Sequence, residues 1–132
     1  MCSYRSVASY CLEDLQVFQK AIAAADAITA LTDRPEFFRD YDLRDQLRSA
    51  SGGVPANISE GHGQKTDRHF AHYLYIARGT TKEIRAHLRV ARGRGHITES
   101  EQATHSAAYD EIAKMLSGLI PHLEREDRAR RG

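Results

Sequence analysis

The sequence predicts an all-α protein, an antiparallel up-down-up-down bundle of four helices in a single domain. Apolar residues recur every three or four positions in four separate segments, which is the spacing of one face of a helix. Glycine, proline or helix-capping residues separate these segments, and no window of four to eight residues shows the alternation of a strand. Short connections between long helices favour antiparallel neighbours.

The composition is that of an ordinary globular domain. The chain has 132 residues, of which 41% are hydrophobic and 28% charged, with a formal net charge of +1. We divide it into an N-terminal arm (1–12), the bundle (13–124) and a charged C-terminal tail (125–132). No apolar run reaches the roughly 18 residues of a membrane span, so we expect a cytoplasmic protein without a membrane partner. Cys2 and Cys11 have no metal-ligand spacing, and we interpret them as incidental.

The first two predicted helices are separated by a proline. Helix one covers residues 13–33 and has two adjacent apolar rows, which predict a wide buried face. The pattern breaks around Pro35, and a connection is expected up to about Tyr41. Asp42 is the predicted N-cap of helix two, which stops near Gly61. The rows of helix one are Leu15, Phe18, Ile22, Ala25 and Val17, Ala21, Ala24, Ile28, Leu31.

In the stretch SGGVPANISEG, residues 51–61, helix propensity and apolar periodicity lead to opposite predictions. Inside a helix glycine costs about 1 kcal/mol relative to alanine, and proline about 3 kcal/mol. Nevertheless the apolar row of helix two continues through the stretch, in the order Leu43, Leu47, Ala50, Val54, Ile58. The periodicity therefore favours helix in spite of the glycines and the proline.

The third and fourth predicted helices have clear boundaries. Thr66 is expected to cap helix three, which ends at Gly93-Arg94-Gly95. Thr98 and Glu101 match a capping box at the start of helix four, and Pro121 is expected to kink or fray its last turn. The core rows are Phe70, Leu74, Ala77, Thr81, Ile84, Leu88, Ala91 in helix three and Tyr109, Ile112, Leu116, Leu119, Leu123 in helix four.

Helix three also has a basic face, displaced by one residue, or about 100°, from its core row. This basic row consists of Arg78, Lys82, Arg85, Arg89 and Arg92. Helix one is acidic by contrast, since residues 13–33 contain four acids and one lysine and sum to −3. Two interpretations of this row remain open. It is either a structural face, solvated or paired with the acidic helix of a neighbouring subunit, or a surface that binds phosphates. Aromatic residues are not interleaved with the row, so backbone binding is predicted rather than base-specific readout.

Three motifs together resemble a known family. They are DLQVFQKA (14–21), QLRSASGGVPANISEGHGQ (46–64) and FAHYLYIARGTTKEI (70–84). In this order they resemble the bacterial four-helix-bundle proteins encoded by intervening sequences in 23S ribosomal RNA genes, over residues 13–123. The same superfamily includes the accessory variability determinant of diversity-generating retroelements, which partners a reverse transcriptase and binds nucleic acid. Its members are homopentamers.

The resemblance implies that SGGVPANISEG is helical and bent at Pro55. It also implies structural or oligomer-contact roles for the motif residues Pro55, Asn57, Glu60, Gly61, Gly63, Gly79 and Glu83. We interpret Gly52 and Gly53 as positions where another helix comes close. The small residues Gly79, Ala86 and Gly93, seven apart, mark a candidate subunit contact.

Catalytic and metal-binding patterns are mostly missing from the sequence. Neither the Glu-x-x-His of di-iron bundles nor HExxH occurs, and we interpret His69 and His72 as an exposed pair, so no metal or cofactor is expected. Asn57 and Glu60 share a helix face. We expect them to satisfy backbone groups near Pro55 or to pair with an arginine such as Arg48, rather than to form a catalytic site.

The sequence therefore predicts a non-enzymatic homo-oligomer, a pentamer by resemblance, that binds RNA or DNA backbones. It would act as an accessory to a nucleic-acid-processing partner such as a reverse transcriptase. The contacts are expected from the basic row with Arg94, supported by Arg128, Arg130 and Arg131. The alternatives are an interaction scaffold without nucleic-acid affinity and, least favoured, an enzyme with an Asn57/Glu60 site.

Overall fold

The structure is a computed structural model that describes residues 11–132, so most of the predicted N-terminal arm lies outside the described residues. A 3-10 turn at Leu12–Asp14 precedes five helices in this range, and no strand occurs in it. The all-α prediction is therefore confirmed. The helices are α1 (Gln16–Thr32), α2 (Pro35–Phe38), α3 (Tyr41–His62), α4 (Asp67–Gly93) and α5 (Glu99–Arg131).

The four long helices enclose one apolar core. α4 packs against α3 and α5, and α1 packs against the same two helices. The predicted core rows of α3 and α4 are buried throughout. In α1 only the second predicted row is buried throughout, since Ile22 of the first row is 40% exposed. None of the described helices combines the length and apolar character needed to span a membrane.

SGGVPANISEG is helical, as its periodicity predicts, and Pro55 lies inside α3. Burial of Val54, Pro55 and Ile58 compensates for the poor helix propensity of the stretch. The start of α3 was predicted wrongly. Its N-cap is Asp40, whose carboxylate accepts a hydrogen bond from the Leu43 amide at 3.4 Å, because α2 occupies the predicted connection and the chain re-enters helix earlier.

The close approach of another helix occurs at Gly61, not at Gly52 or Gly53. A Cβ added at either Gly52 or Gly53 would meet no other residue of the range 11–132 within 4 Å. At Gly61 it would lie 2.8 Å from Tyr73 Cβ and 2.9 Å from Phe70 Cδ1. Gly61 therefore permits the tight corner between α3 and α4, and our interpretation of the other two glycines is wrong within this chain.

The ends of α4 follow the sequence prediction. The Thr66 hydroxyl accepts a hydrogen bond from the His69 amide at 3.2 Å. After Gly93 the chain forms a Schellman motif, in which Gly95 has φ 79° and the His96 amide donates to the Ala91 carbonyl at 3.0 Å. This turn places Arg94 and His96 beside α2 and α3.

α5 begins at the predicted Thr98–Glu101 capping box, with both reciprocal bonds present. It continues past Pro121 and through the predicted tail to Arg131. Asp127 is buried there and accepts a hydrogen bond from the Arg68 amide at 3.3 Å. The tail is therefore helical, and it is attached to the beginning of α4.

Candidate nucleic-acid interface

The basic row of α4 lies along the boundary between α4 and α5. Arg78 Nη1 donates to Ser117 Oγ at 3.1 Å, and Arg85 Nη1 lies 3.4 Å from Asp110 Oδ1. Because both partners belong to α5, the row faces the groove between these two helices. The periodicity of α4 explains this placement, since its core row turns inward and the adjacent row necessarily turns toward a neighbouring helix.

Three members of the row have no polar partner among residues 11–132. Lys82 and Arg89 are exposed, and Arg92 is half-buried. None of the three forms an ion pair or a side-chain hydrogen bond with another described residue. Within this part of the chain, no carboxylate neutralises these three charges.

The facing side of α5 contributes little negative charge. The residues at helical spacing with Asp110 and Ser117 are Ala103, Ser106 and Ala113. Between residues 103 and 117 the only carboxylate in this α5 row is Asp110, and it is shared with Lys114, whose Nζ lies 3.0 Å from Asp110 Oδ2. The groove thus has a basic wall and a nearly neutral wall.

Arg94 is not part of this groove, because its charge is neutralised at the end of the bundle. Its Nη1 lies 2.8 Å from Asp40 Oδ2, and His96 Nε2 lies 2.8 Å from the same oxygen. The hydrogen bond from His96 and then that from Arg94 hold the pKa of Asp40 below its usual value. The predicted phosphate contact of Arg94 would have to compete with Asp40.

The tail arginines lie at the opposite end of α4. Arg130 Nη1 is 2.9 Å from Asp67 Oδ2, and Arg131 Nε is 3.5 Å from Asp127 Oδ2. Burial raises the pKa of Asp67, and the nearby Arg130 opposes that effect. Along a helix that rises about 1.5 Å per residue, Asp67 and Arg92 are roughly 38 Å apart. Arg130 and Arg131 are thus paired with carboxylates far from the C-terminal end of the basic row.

The acidic residues of helix one do not face the row within the chain. α1 packs against α3 and α5, and Asp33 at its end pairs with Arg48 of α3. Lys20 pairs across α1 and α5 with Glu111 at 2.9 Å. Pairing between the basic row and α1 would therefore require a second copy of the chain.

Asn57 and Glu60 make separate local contacts. Asn57 Nδ2 donates to the Gly53 carbonyl at 2.9 Å, one turn back along α3. Glu60 is exposed, and its carbonyl accepts from Gln64 Nε2 at 3.1 Å. Arg48, the partner suggested by the sequence, instead donates to Thr32 Oγ1 at 2.8 Å. Gly63 follows as the C-cap of α3.

The outward face of α4 combines small and exposed apolar residues. An added Cβ at Gly79 or Gly93 would meet no other described residue within 4 Å, and Ile76 and Val90 on the same face are 42% and 41% exposed. Glu83 lies on this face too, 3.5 Å from His87 Nε2. This surface is the candidate subunit contact predicted from the small residues.

The predicted histidine pair on α4 shows no metal-binding geometry. His69 and His72 are exposed, and the His69 ring lies 2.9 Å from the Thr66 hydroxyl. No three His, Cys, Asp or Glu side chains come together as a metal site within residues 11–132.

Exposed aromatic residues were missed by the sequence analysis. Tyr75 is 44% exposed and lies three residues before Arg78, so it extends the basic row by one helical step. Continuing the three-four spacing toward the N-terminus would have found it. Phe38 and Tyr41 form a second exposed pair at the start of α3, with Arg44 over both rings.

Comparison with known proteins identifies a family and a similar fold. The model of the family described as 23S rRNA-intervening sequence protein matches residues 13–118. A solved structure, of a protein of unknown function from the S23 ribosomal protein family of Bacteroides thetaiotaomicron, has a TM-score of 0.73 at 20% identity, covering 79% of this chain and 97% of that chain. At this identity the likeness concerns the fold alone. No curated protein matches the chain significantly.

Proposed function

Because the chain belongs to the 23S rRNA-intervening sequence protein family and has a basic row on α4, we propose that it is a non-enzymatic protein that binds RNA or DNA backbones. The binding surface is the groove between α4 and α5. We further propose that it acts as a homo-oligomer, a pentamer as the resemblance implies, and as an accessory to a nucleic-acid-processing enzyme.

The observation that carries this proposal is the lack of polar partners for Lys82, Arg89 and Arg92 among residues 11–132. Single solvated cations are common on protein surfaces, but cations aligned on one helix face concentrate positive potential and attract phosphates. From Arg78 to Arg92 the row extends about 21 Å along the helix axis, long enough to follow several phosphates of one strand.

The arrangement of the helices supports an antiparallel up-down-up-down bundle. Contacts between α4 and α5 run in opposite chain directions, since Arg68, Arg78 and Arg85 meet residues 127, 117 and 110 in turn. The exposed apolar and small residues on the outward face of α4 support contact between copies. An oligomer with this contact would repeat the basic groove at each subunit.

The test is binding of labelled structured RNA and duplex DNA, measured by fluorescence anisotropy between about 50 and 200 mM salt. With four or five phosphate contacts the slope of log K against log salt is about −3 to −4.5, so affinity falls roughly 50- to 500-fold across this range. The double variant Lys82→Glu, Arg89→Glu removes two contacts and should reduce the magnitude of the slope by about 1.5.

A matched control carries the same change of charge outside the groove. Arg39 and Arg125 are exposed on α2–α3 and on α5, and Arg39→Glu with Arg125→Glu should leave the slope of the wild type. Equal losses in both double variants would mean that only net charge matters, which contradicts a defined surface. No binding at the lowest salt would reject nucleic-acid binding altogether.

The interaction scaffold is the second candidate, and the outward face of α4 is the observation that favours it. Two exposed branched residues, Ile76 and Val90, beside open glycines are suited to contact with another helix. In this case Val90→Lys should disrupt the oligomer, measured by light scattering, and no nucleic acid should bind to either form.

A further inference from the structure

Tyr75 lies on the same face of α4 as the basic row, at its N-terminal end. Its ring is 44% exposed, and the Arg78 guanidinium carbon lies 5.0 Å from the ring centroid. Arg78 also donates to Ser117 Oγ at 3.1 Å, which holds the guanidinium between α4 and α5. The aromatic ring and the first cation of the row are therefore fixed next to each other.

This combination fits an unpaired base. Proteins that bind single strands place cations along the backbone and aromatic rings against the bases, and arginine planes also stack on bases. A base inside a duplex has both faces covered by its neighbours and cannot stack on a side chain. The facing α5 residues Ala113 and Ser117 are uncharged, so they do not repel phosphates beside the row.

We propose that Tyr75, together with Arg78, forms a stacking platform for an unpaired base, so that the groove binds single-stranded nucleic acid or unpaired loops in preference to duplex. The inference rests on the proposed function, because the phosphates of the same strand contact the basic row. Beyond that function, the inference specifies unpaired rather than duplex nucleic acid, and it assigns this preference to Tyr75.

A second aromatic site offers a matched control. Tyr41 is 62% exposed, and the Arg44 guanidinium carbon also lies 5.0 Å from its ring centroid. Its surroundings, however, have no net charge, since residues 38–48 contain three arginines and three aspartates, and Asp45 pairs with Arg44 at 2.9 Å. The same ring–guanidinium distance thus occurs without a basic row beside it.

The experiment compares wild type, Tyr75→Ala, Tyr75→Phe and Tyr41→Ala. Affinity is measured for a short single-stranded RNA and for the same sequence as a duplex, at one low salt concentration. The single strand contains 2-aminopurine at successive positions, because stacking on an aromatic ring quenches its fluorescence. Light scattering of each variant measures the oligomeric state.

We expect Tyr75→Ala to weaken single-strand binding by about 5- to 150-fold, the range for one stacked base, and to abolish the quenching at one position. Tyr75→Phe, which retains the ring, and Tyr41→Ala should bind as the wild type does. Duplex binding should change less than about twofold in all variants, since phosphate contacts remain.

Four results would overturn the proposal. Equal affinity of wild type for single strand and duplex, or loss of binding in Tyr75→Phe as in Tyr75→Ala, would exclude stacking while leaving backbone binding intact. A changed oligomeric state in Tyr75→Ala would assign the ring to a contact between copies. Failure of wild type to bind either probe would reject this inference and the proposed function together.

Discussion

Replacing Gly61 with alanine tests the tight corner between α3 and α4. The added Cβ would lie 2.8 Å from Tyr73 Cβ, 2.9 Å from Phe70 Cδ1 and 3.1 Å from the Phe70 carbonyl oxygen. Two of these three atoms cannot move by a side-chain rotation alone, because one is a backbone atom and the other is attached directly to the backbone. The helices must therefore separate locally, as in an overpacked core.

Overpacking of this kind costs about 1–3 kcal/mol. Unfolding entropy near 60 °C is about 2.1 cal/mol/K per residue, which gives about 0.28 kcal/mol/K for 132 residues. Gly61→Ala should therefore lower Tm by roughly 4–11 °C, since the small gain in helix propensity is outweighed by the clash. Circular dichroism at the helix band during heating, with urea unfolding as a second measure, provides the assay.

Gly52→Ala is the matched control, because Gly52 lies in the same helix and the same sequence motif. An added Cβ there would meet no other residue in the described part of the chain within 4 Å, so only helix propensity changes. We expect a gain of up to about 1 kcal/mol and a Tm higher by up to about 4 °C. A rise in Tm for both variants would refute the tight corner, and a fall for Gly52→Ala would indicate a neighbour outside residues 11–132.

Three further predictions concern charges and caps. Burial raises the pKa of Asp67, so its ionised form opposes folding above a pH of about 4. Asp67→Asn should therefore match or exceed the wild type in urea unfolding at pH 7. Strong destabilisation would show that the ion pair with Arg130 outweighs burial. The pKa of Asp40 is lowered, so its contribution to the free energy of unfolding is present above about pH 4 and is lost as the pH falls further. Asp40→Asn should be less stable than the wild type at pH 7, and its urea midpoint should depend less on acid pH. An unchanged pH dependence would contradict the role of His96. Thr98→Ala should cost about 1 kcal/mol in urea unfolding, and no change would mean that the capping box does not stabilise α5.

Sequence periodicity predicted the helices well where the packing of apolar side chains determines whether a helix forms. The row from Leu43 to Ile58 is buried even across two glycines and a proline, because helix formation there depends on apolar contacts more than on propensity. Asp40 and Asp42 are equally suitable as caps by residue type. Only the short helix α2, stabilised by the buried Phe37, decides between them.

Other features depend on contacts that a single row does not reveal. The last turns of α5 have no apolar row and contain instead ion pairs one turn apart, such as Glu126 with Arg130, so the apolar pattern does not predict them. Tyr75 was missed because the basic row was defined by charge alone. Nucleic-acid binding by the row stays a prediction.

Some helices that pack together are close in the sequence and others are far apart, and this difference has a consequence for folding. α3, α4 and α5 are consecutive and joined by short connections, so their contacts close small loops. α1 also packs against α3 nearby in the chain, but its contacts with α5 are long-range, as is the pair of Arg34 with Glu101, 67 positions further along. Closing that long loop costs more entropy, and we expect the contacts between α1 and α5 to form last. Substitutions on the side of α1 that faces α5 should then accelerate unfolding while leaving the refolding rate nearly unchanged.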